Sequence, residues 1–533
     1  MSRPALTKPI VLSGFMATGK STIGRILAER LGVPFLDTDA LLVEQTGKAV
    51  SELFMSEGEA LFREREAALV LPMLSDPTPR VIGFGGGTVT IQRVRHAALE
   101  SATVVTLTAG PETVVARVTS LAGRPNLLTS SPLLRASDLL TLRREAYAEC
   151  HAAISTEGRS PEQVADLVLE AIGVDALAMP LGVRSYAIEL TDAQPGRLAK
   201  ALRDLGASSL LVVTDQNVQA ARGAWLAQAL AGLGLRTHTV TITPGEPSKT
   251  LTTVARIWDE ALRVGIDRDA VVVAFGGGVV GDLAGFVAST LLRGLRCVQI
   301  PTSLLAMVDS SVGGKTGFDH ETGKNLIGAF FQPSRVIVDL EHLTTLPPRE
   351  RAAGLAEVVK IALVRDLALL EALERDAARI AAGDRDALRP ILRAAVEAKV
   401  RVVRDDERES GERALLNLGH TVGHALETQG GYSRLLHGEA VAIGTVLEVA
   451  ATERLGFTAR GTAARAAALL SRLGLPTSAT SEELREAWPF VLSDKKRAAT
   501  TVKLPLVTEA GRGRVERVEL VVLHGALLGD SPS

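Results

Sequence analysis

Asp269-Ala-Val-Val-Val-Ala-Phe275-Gly276-Gly-Gly278-Val-Val-Gly281-Asp282 is an apolar, β-branched run that enters a glycine turn and leaves it in an apolar stretch reaching Leu292. A short apolar run bounded by glycine reads as a buried strand, and G-x-G-x-x-G between strand and helix is a dinucleotide signature. Glycine there lets the backbone approach a pyrophosphate at a helix N-terminus. The usual βαβ frame carries this turn first, with an acid about 20 residues further on. Here at least two strands precede it, and the next candidate acid, Asp309, lies beyond that distance. The stretch predicts an α/β fold and a nicotinamide nucleotide outside the standard frame. Asp282, just after the turn, would cap the helix if its role were structural.

Upstream, Tyr186-Ala-Ile-Glu-Leu alternates like a strand. Ser209-Leu-Leu-Val-Val-Thr-Asp215-Gln-Asn217 reads as a buried parallel strand with polar residues at its C-terminal end, where ligands sit in open α/β sheets. Thr239-Val-Thr-Ile-Thr-Pro244-Gly-Glu246-Pro-Ser-Lys249-Thr repeats that logic. Downstream, Asp309-Ser-Ser-Val-Gly-Gly-Lys315 and Gly323-Lys324-Asn325 are expected to be glycine- and lysine-rich loops, suiting an anionic substrate such as a phosphate. Solvated surface lysines are the bland alternative. After Pro347-Pro348 the pattern turns helical to near Leu492.

That helical region carries Arg413-Ala-Leu-Leu-Asn417-Leu-Gly-His420-Thr-Val-Gly-His424-Ala-Leu-Glu427, then His437-Gly-Glu439. The chain has nine histidines, and three fall here, with acids nearby. His420 and His424, four apart, share a helical face, and that spacing suits a divalent metal. Two polar residues capping a buried helix is the weaker alternative.

At the other end, Pro9-Ile-Val-Leu-Ser13 reads as a strand running into Gly14-Phe-Met-Ala-Thr-Gly19-Lys20-Ser21-Thr22 and a helix. This is G-x-x-x-x-G-K-S between strand and helix. In such a loop the glycines let backbone N–H groups face phosphate oxygens; Lys20 would hold the β and γ phosphates, and Ser21 a Mg²⁺ ion. Further on come Asp37-Thr-Asp39, an Arg63 on a helix, the glycine run Gly85-Gly86-Gly87, Gly123-Arg124-Pro125, and Arg143-Arg-Glu-Ala-Tyr147.

A length of 533 residues exceeds one core and predicts two or three domains. A net charge of -2 argues against nucleic acid and against a basic membrane patch, and aromatics at 3% argue against base stacking. Two distant cysteines, Cys150 and Cys297, fit a reducing cytosol. No signal-peptide pattern or membrane-length apolar run is read, so a cytoplasmic protein is expected.

Over residues 8–172 the chain resembles shikimate kinase: P-loop, D-x-D, Arg63 after G-E-x-x-F, G-G-G, R-P, and an Arg four before Tyr147. The resemblance implies that Gly14, Gly19, Lys20, Ser21 and Thr22 bind ATP with Mg²⁺, assisted by Asp37. It implies that Asp39, Arg63, Gly85, Gly86, Gly87 and Arg143 bind shikimate, with Asp39 near the reacting hydroxyl. Arg124 would close over the phosphates from a lid. The lid reads Arg124-Pro-Asn-Leu-Leu rather than R-P-L-L, and Glu145 and Ala146 stand where a Pro usually precedes the late Tyr.

Residues 186 to about 510 resemble 3-dehydroquinate synthase through PGEPSKT, GGGVVGDLAGFVA, PTSLLAMVDSSVGGKTG, KNLIGAF, GLAEVVK, LNLGHTVGHALE, HGEAVAIG and DKK. By that resemblance Asp215, Asn217, Glu246, Lys249, Gly277, Gly278, Val279, Asp282, Thr302, Ser303 and Lys324 hold NAD. Glu357, His420 and His437 bind Zn²⁺ or another divalent cation such as Co²⁺, which leaves His424 for substrate. Asp309, Lys315, Asn325, Lys360, Lys399, Arg413, Asn417, His424 and a DKK lysine, here taken as Lys496, contact the substrate. Lys315, Lys360 and His424 carry the chemistry. Arg293 would reach the neighbouring subunit's site in a homodimer. The Gly expected soon after Asp494-Lys495-Lys496 is absent from Arg497-Ala-Ala-Thr-Thr.

The architecture implied is α/β throughout: a P-loop kinase domain at 1–173 with helices on both faces of a parallel sheet, a linker at 174–185, an α/β NAD-binding domain at 186–342, and a mainly α-helical metal- and substrate-binding domain at 343–533. The activities implied are ATP-dependent phosphorylation of shikimate, and redox-neutral conversion of 3-deoxy-arabino-heptulosonate 7-phosphate to 3-dehydroquinate. The second runs through transient oxidation, phosphate elimination, hydride return, ring opening and aldol closure. The rivals for the second part are a metal-dependent alcohol dehydrogenase and a cyclase acting on a hexose phosphate. A scaffold with one dead site is a rival of a different class.

Overall fold

A computed structural model describes residues 6–118, 131–494 and 500–529. The chain divides into two compact units, Met1–Glu189 and Leu190–Ser533.

In the first unit, β1 (Ile10–Gly14), β2 (Phe35–Asp37), β3 (Val81–Gly83), β4 (Thr103–Thr108) and β5 (Ala152–Ser155) form a sheet in the order β2-β3-β1-β4-β5. Every pairing is parallel. The central strand is apolar on both faces because both are covered. Val11 packs with Val70, Phe84 and Val104 on one face. Ile10 and Leu12 pack with Leu27, Val164 and Val168 on the other. This is the period-2 alternation of a strand with helices above and below. β6 (Asp175–Met179) falls within the stretch expected as linker, and β7 (Tyr186–Thr191) carries the chain into the second unit.

The second unit holds β8 (Ser209–Asp215), β9 (Arg236–Ile242), β10 (Val271–Gly276), β11 (Arg296–Pro301) and, later, β14 (Arg335–Asp339). They run parallel in the order β14-β11-β10-β8-β9. The same alternation holds: Val272 and Ala274 pack beneath the helix Gly278–Thr290 with Leu283 and Val287. Val271, Val273 and Phe275 pack on the opposite face with Leu202 and Trp225. The lysine-bearing stretches expected as loops are instead an antiparallel hairpin, β12 (Lys315–His320) and β13 (Gly323–Phe330). Lys315 opens one strand and Lys324 lies in the other, so ladder hydrogen bonds fix both.

From Pro348 the chain is helical through seven long helices to Asp494, as the periodicity predicts. It closes with an unforeseen antiparallel hairpin, β15 (Thr501–Glu509) and β16 (Arg512–Glu519), and the helix Leu520–Leu528. Among the described residues no helix is long and apolar enough to cross a membrane.

Candidate active sites

In the first unit the loop after β1 ends in Gly19, whose φ of 93° caps the helix Lys20–Leu31. That backbone belongs to glycine. Lys20 Nζ donates to the carbonyls of Gly14 at 2.9 Å and Phe15 at 2.8 Å, arching over the loop. Ser21 Oγ donates to Asp37 Oδ2 at 2.7 Å, while Asp37 Oδ1 accepts from the Asp39 and Ala40 amides. Asp37 therefore caps the helix Thr38–Thr46 and also meets the Mg²⁺-type hydroxyl.

Beside this loop acids, arginines and glycines gather, with Gly86 against the Met16 backbone. Burial, reinforced by the nearby Glu66 charge, pushes the Asp39 carboxyl up to about 6. Glu66, 3% exposed, pairs with Arg63 and accepts from Thr88 Oγ1 at 2.8 Å. Burial opposes the Arg63 charge, but Glu66 outweighs it and holds that group above its ordinary value. Arg143 Nη1 donates to the Gly86 carbonyl at 3.1 Å, and Tyr147 Oη donates to the same oxygen. The glycine run is steric: a Cβ on Gly85 would lie 2.5 Å from Asp39 Oδ1, and one on Gly87 2.2 Å from Arg63 Nη2. Asp39, Arg63, Gly85–87 and Arg143 thus converge. Glu66 escaped the sequence reading because an acid three residues after a helical Arg looks like an ordinary surface pair. Arg124 lies outside the described residues.

In the second unit one cleft of about 1070 Å³ opens beside the glycine turn. Asp215, Asn217, Glu246, Lys249, Gly277, Gly278, Val279, Asp282, Thr302, Ser303 and Lys324 all line it. A Cβ on Gly277 would touch Ser303 Oγ at 3.4 Å, and one on Gly278 would press Ser310 Oγ at 3.2 Å, so the glycines keep a cradle open. Asp282 is not a cap, since Gly277 takes that place. Its carboxylate binds Lys249 Nζ at 2.6 Å. Burial raises the Asp282 pKa, and Lys249 opposes the rise.

Further along the cleft are Asp309, Asn325, Asn417, His420, His424 and His437. The helices His420–Gln429 and His437–Arg454 cross at glycines. A Cβ on Gly444 would lie 2.0 Å from the Gly419 oxygen, and one on Gly423 3.0 Å from that of Ala440. The interleaved glycines of the histidine stretch are therefore contact points that bring His420 to His437. The buried Glu448 secures the first helix by accepting from the Gly419 amide at 2.8 Å and the Val422 amide at 2.9 Å.

Glu357, on the buried helix Pro348–Arg365, completes the group. Its Oε1 lies 3.6 Å from His420 Nε2 and 3.5 Å from His437 Nε2. Among the described residues, ligand atoms of Glu357, His420 and His437 all fall within 4.8 Å of one another. Glu357 is fully buried and its Oε1 has no hydrogen-bond partner. A buried acceptor left so is costly unless a cation satisfies it. His420 Nδ1 faces the Leu418 carbonyl at 3.2 Å, which leaves Nε2 for a metal. The donor set fits a catalytic zinc: three protein ligands with a position to spare. His424, Glu427 and His437 form a second such group.

Around this centre the cations are paired. Lys360 contacts Glu357, Lys399 contacts Asp309, and Lys315 contacts Glu409. Burial lowers Lys399 to about 8 even with Asp309 beside it. Burial opposes ionisation of Asp309, but Lys399 holds its carboxyl below the ordinary value. Arg413, 3% exposed, donates to the Gly313 carbonyl at 3.2 Å, and Asp406 fixes its turn by accepting the Gly411 and Arg413 amides. Lys315, Lys360, Lys399 and Arg413 are near the cleft but not on its lining. Glu409, which also accepts from Asn417 Nδ2, and Glu427 have no role in the sequence reading. Arg293 sits exposed at the end of the short turn Leu291–Arg293, at φ 68°, and is not among the residues lining the cleft; Lys496 lies outside the described residues.

Family models match in the same places: shikimate kinase at 16–173, 3-dehydroquinate synthase N-terminal at 239–353, and 3-dehydroquinate synthase C-terminal at 354–497. A 3-dehydroquinate synthase of Pelobacter propionicus is 45% identical over 331 residues, covering 62% of this chain and 92% of that protein. Among solved structures, ValA (2-epi-5-epi-valiolone synthase) of Streptomyces hygroscopicus subsp. jinggangensis, with NAD⁺ and Zn²⁺ bound, is 30% identical at a TM-score of 0.58. It aligns over 64% of this chain and 96% of its own. A 2-deoxy-scyllo-inosose synthase, 23% identical at a TM-score of 0.61 over 67% and 99% of the two chains, shares the fold. The chain belongs to the 3-dehydroquinate synthase family and carries a shikimate kinase domain ahead of it.

Proposed function

We propose that this is a bifunctional enzyme of aromatic amino acid biosynthesis. The kinase part of the first unit, residues 1–173, phosphorylates shikimate with MgATP. The part beyond 186 converts 3-deoxy-arabino-heptulosonate 7-phosphate to 3-dehydroquinate and releases phosphate. The observation that carries the second assignment is the buried Glu357 Oε1 facing His420 Nε2 and His437 Nε2, two histidines that line the cleft of the glycine turn. The 45% identity to a 3-dehydroquinate synthase, against 30% to the valiolone synthase, favours the dehydroquinate product.

In the kinase, Lys20 and the loop amides gather the phosphates, and Ser21 with Asp37 serves Mg²⁺. Arg63 and Arg143 grip the shikimate carboxylate, and Asp39 accepts from the hydroxyl to be phosphorylated. Arg124 closes over the phosphates.

In the synthase, NAD supplies reversible hydride transfer, and a divalent ion such as Zn²⁺ supplies Lewis acidity at the oxygen being oxidised. Glu357, His420 and His437 hold that ion. Asp215, Asn217, Glu246, Lys249, Asp282, Thr302, Ser303 and Lys324 hold the nucleotide, with Gly277–Val279 at the pyrophosphate. Lys315, Asn325, Asn417 and Lys496 receive the phosphate, Lys360, Lys399 and Arg413 the remaining oxygens. Asp309 keeps Lys399 in place, and His424 relays a proton. Arg293 completes the site of a second copy in a homodimer, and the enzyme acts in the cytoplasm.

Assaying the purified chain with each substrate tests this. Shikimate-dependent ADP release and heptulosonate-dependent phosphate release without net NADH are expected. NADH accumulating with a simple polyol would instead support the dehydrogenase reading.

A further inference from the structure

Glu427 lies two helical turns beyond His420 on the same face of the helix His420–Gln429 and is 4% exposed. Its two oxygens face different parts of the cleft. Oε2 is 3.1 Å from His437 Nδ1, and Oε1 is 3.3 Å from Lys324 Nζ. An ionised carboxylate only accepts, so His437 must donate from Nδ1 and present Nε2 toward Glu357. Lys324 comes from the β12–β13 hairpin. Its Nζ sits 4.2 Å from the Tyr432 ring centre and 3.5 Å from Glu246 Oε1, on the nucleotide side. One buried carboxylate thus joins a metal ligand to a cation of the dinucleotide site.

We propose that Glu427 is a positioning residue that couples the two cofactor sites, so that metal and dinucleotide each strengthen binding of the other. The inference rests on the functional reading above. Metal at His437 Nε2 makes Nδ1–H a stronger donor and holds Glu427 in place. A fixed Glu427 in turn holds Lys324 where the nucleotide meets it, so its ordering cost is already met when the nucleotide binds. Coupling of binding is reciprocal, and linked sites commonly reach about 5–150-fold.

Zinc affinity is measured by chelator competition with and without NAD⁺, and NAD⁺ affinity by calorimetry with and without zinc. For the native chain each ligand should tighten the other by the same factor, at least about fivefold. Glu427→Gln should keep stoichiometric zinc, lower its affinity about 10–100-fold as loss of an outer partner does, and bring the coupling factor to one. Lys324→Met, at a half-buried position of the hairpin, should remove the coupling and change zinc affinity without NAD⁺ less than Glu427→Gln does. That variant keeps the test decisive if Glu427→Gln folds poorly. Undiminished coupling in either variant overturns the proposal. So does complete loss of zinc stoichiometry in Glu427→Gln, which would make Glu427 a ligand in the group with His424. A native chain that binds both cofactors without coupling sinks this inference alone, whereas one that binds neither sinks the functional reading with it.

Discussion

The two sites are built in opposite ways. The phosphate loop of the first unit is local: one strand, one turn and one helix within residues 10–31 supply it, and Lys20 rests on carbonyls of its own loop. The candidate metal centre of the second unit draws on Glu357, His420 and His437 from three helices, and these come together where glycines let two of those helices touch. Its lysines stand against acids, as Lys249 with Asp282, Lys360 with Glu357 and Lys399 with Asp309. Removing one partner of such a buried pair strands the other, at a cost of about 3–5 kcal/mol. A local site can lose its chemistry and keep its fold, whereas in a non-local one the two are entangled.

The largest effect should come from breaking the non-local site. His437→Ala or His420→Ala should lose zinc and dehydroquinate synthesis together, read by metal analysis and phosphate release, with shikimate phosphorylation intact. Lys20→Ala is the matching break in the local site. Shikimate phosphorylation should fall by about 10²–10³-fold, the scale of a lost electrostatic stabiliser, with dehydroquinate formation and thermal midpoint unchanged. A fall in both activities in a folded Lys20→Ala protein would mean the sites are not independent. His424→Ala sharpens the comparison within the second site. It should retain stoichiometric zinc while turnover drops about 10²-fold, the usual scale for a lost acid–base group. An empty metal site there would restore the spacing argument that pairs His420 with His424.

Smaller effects probe the shikimate pocket. Gly87→Ala places a methyl against the Arg63 guanidinium. It should raise the KM for shikimate about tenfold, near 1.4 kcal/mol, and leave that for ATP unchanged. Asp39 titrates at about 6, and only its ionised form accepts the hydroxyl proton. Kinase kcat/KM should therefore hold above that pH and decline as the pH falls through about 6. At pH 7 only about a tenth of the enzyme is affected. An inflection near 4 would mean that Asp39 is an ordinary carboxylate or is not required.

Both glycine turns and the strands β1, β2, β3, β8, β9 and β10 were legible in the sequence, because each is a short contiguous run ending in glycine or polar residues, whereas β4, β5, β11 and β14 were not read. The hairpin bearing Lys315 and Lys324 was not, because glycine and lysine hide the alternation that cross-strand pairing enforces. β15 was hidden in the same way by Pro505 in its middle. Capping was the structural alternative for Asp282, and it fails because Gly277 takes that place; adjacency to a turn is visible in sequence and a distant Lys249 is not. The histidine spacing, taken alone, nominates His420 with His424; their rings do lie 5.1 Å apart, yet His420 is as close to His437, at 5.3 Å. Spacing along one helix cannot reveal which second helix arrives beside it. Glu66, Glu409 and Glu427 share that limit, since each matters through a partner the sequence leaves unmarked.

The central claim is two independent chemistries on one chain, only one of which needs a transition metal. The most direct test incubates the purified protein with a transition-metal chelator in excess Mg²⁺ and then assays both reactions. Dehydroquinate formation should disappear and return when zinc is added, while shikimate phosphorylation continues at its original rate. Loss of both activities, or of neither, would contradict the account.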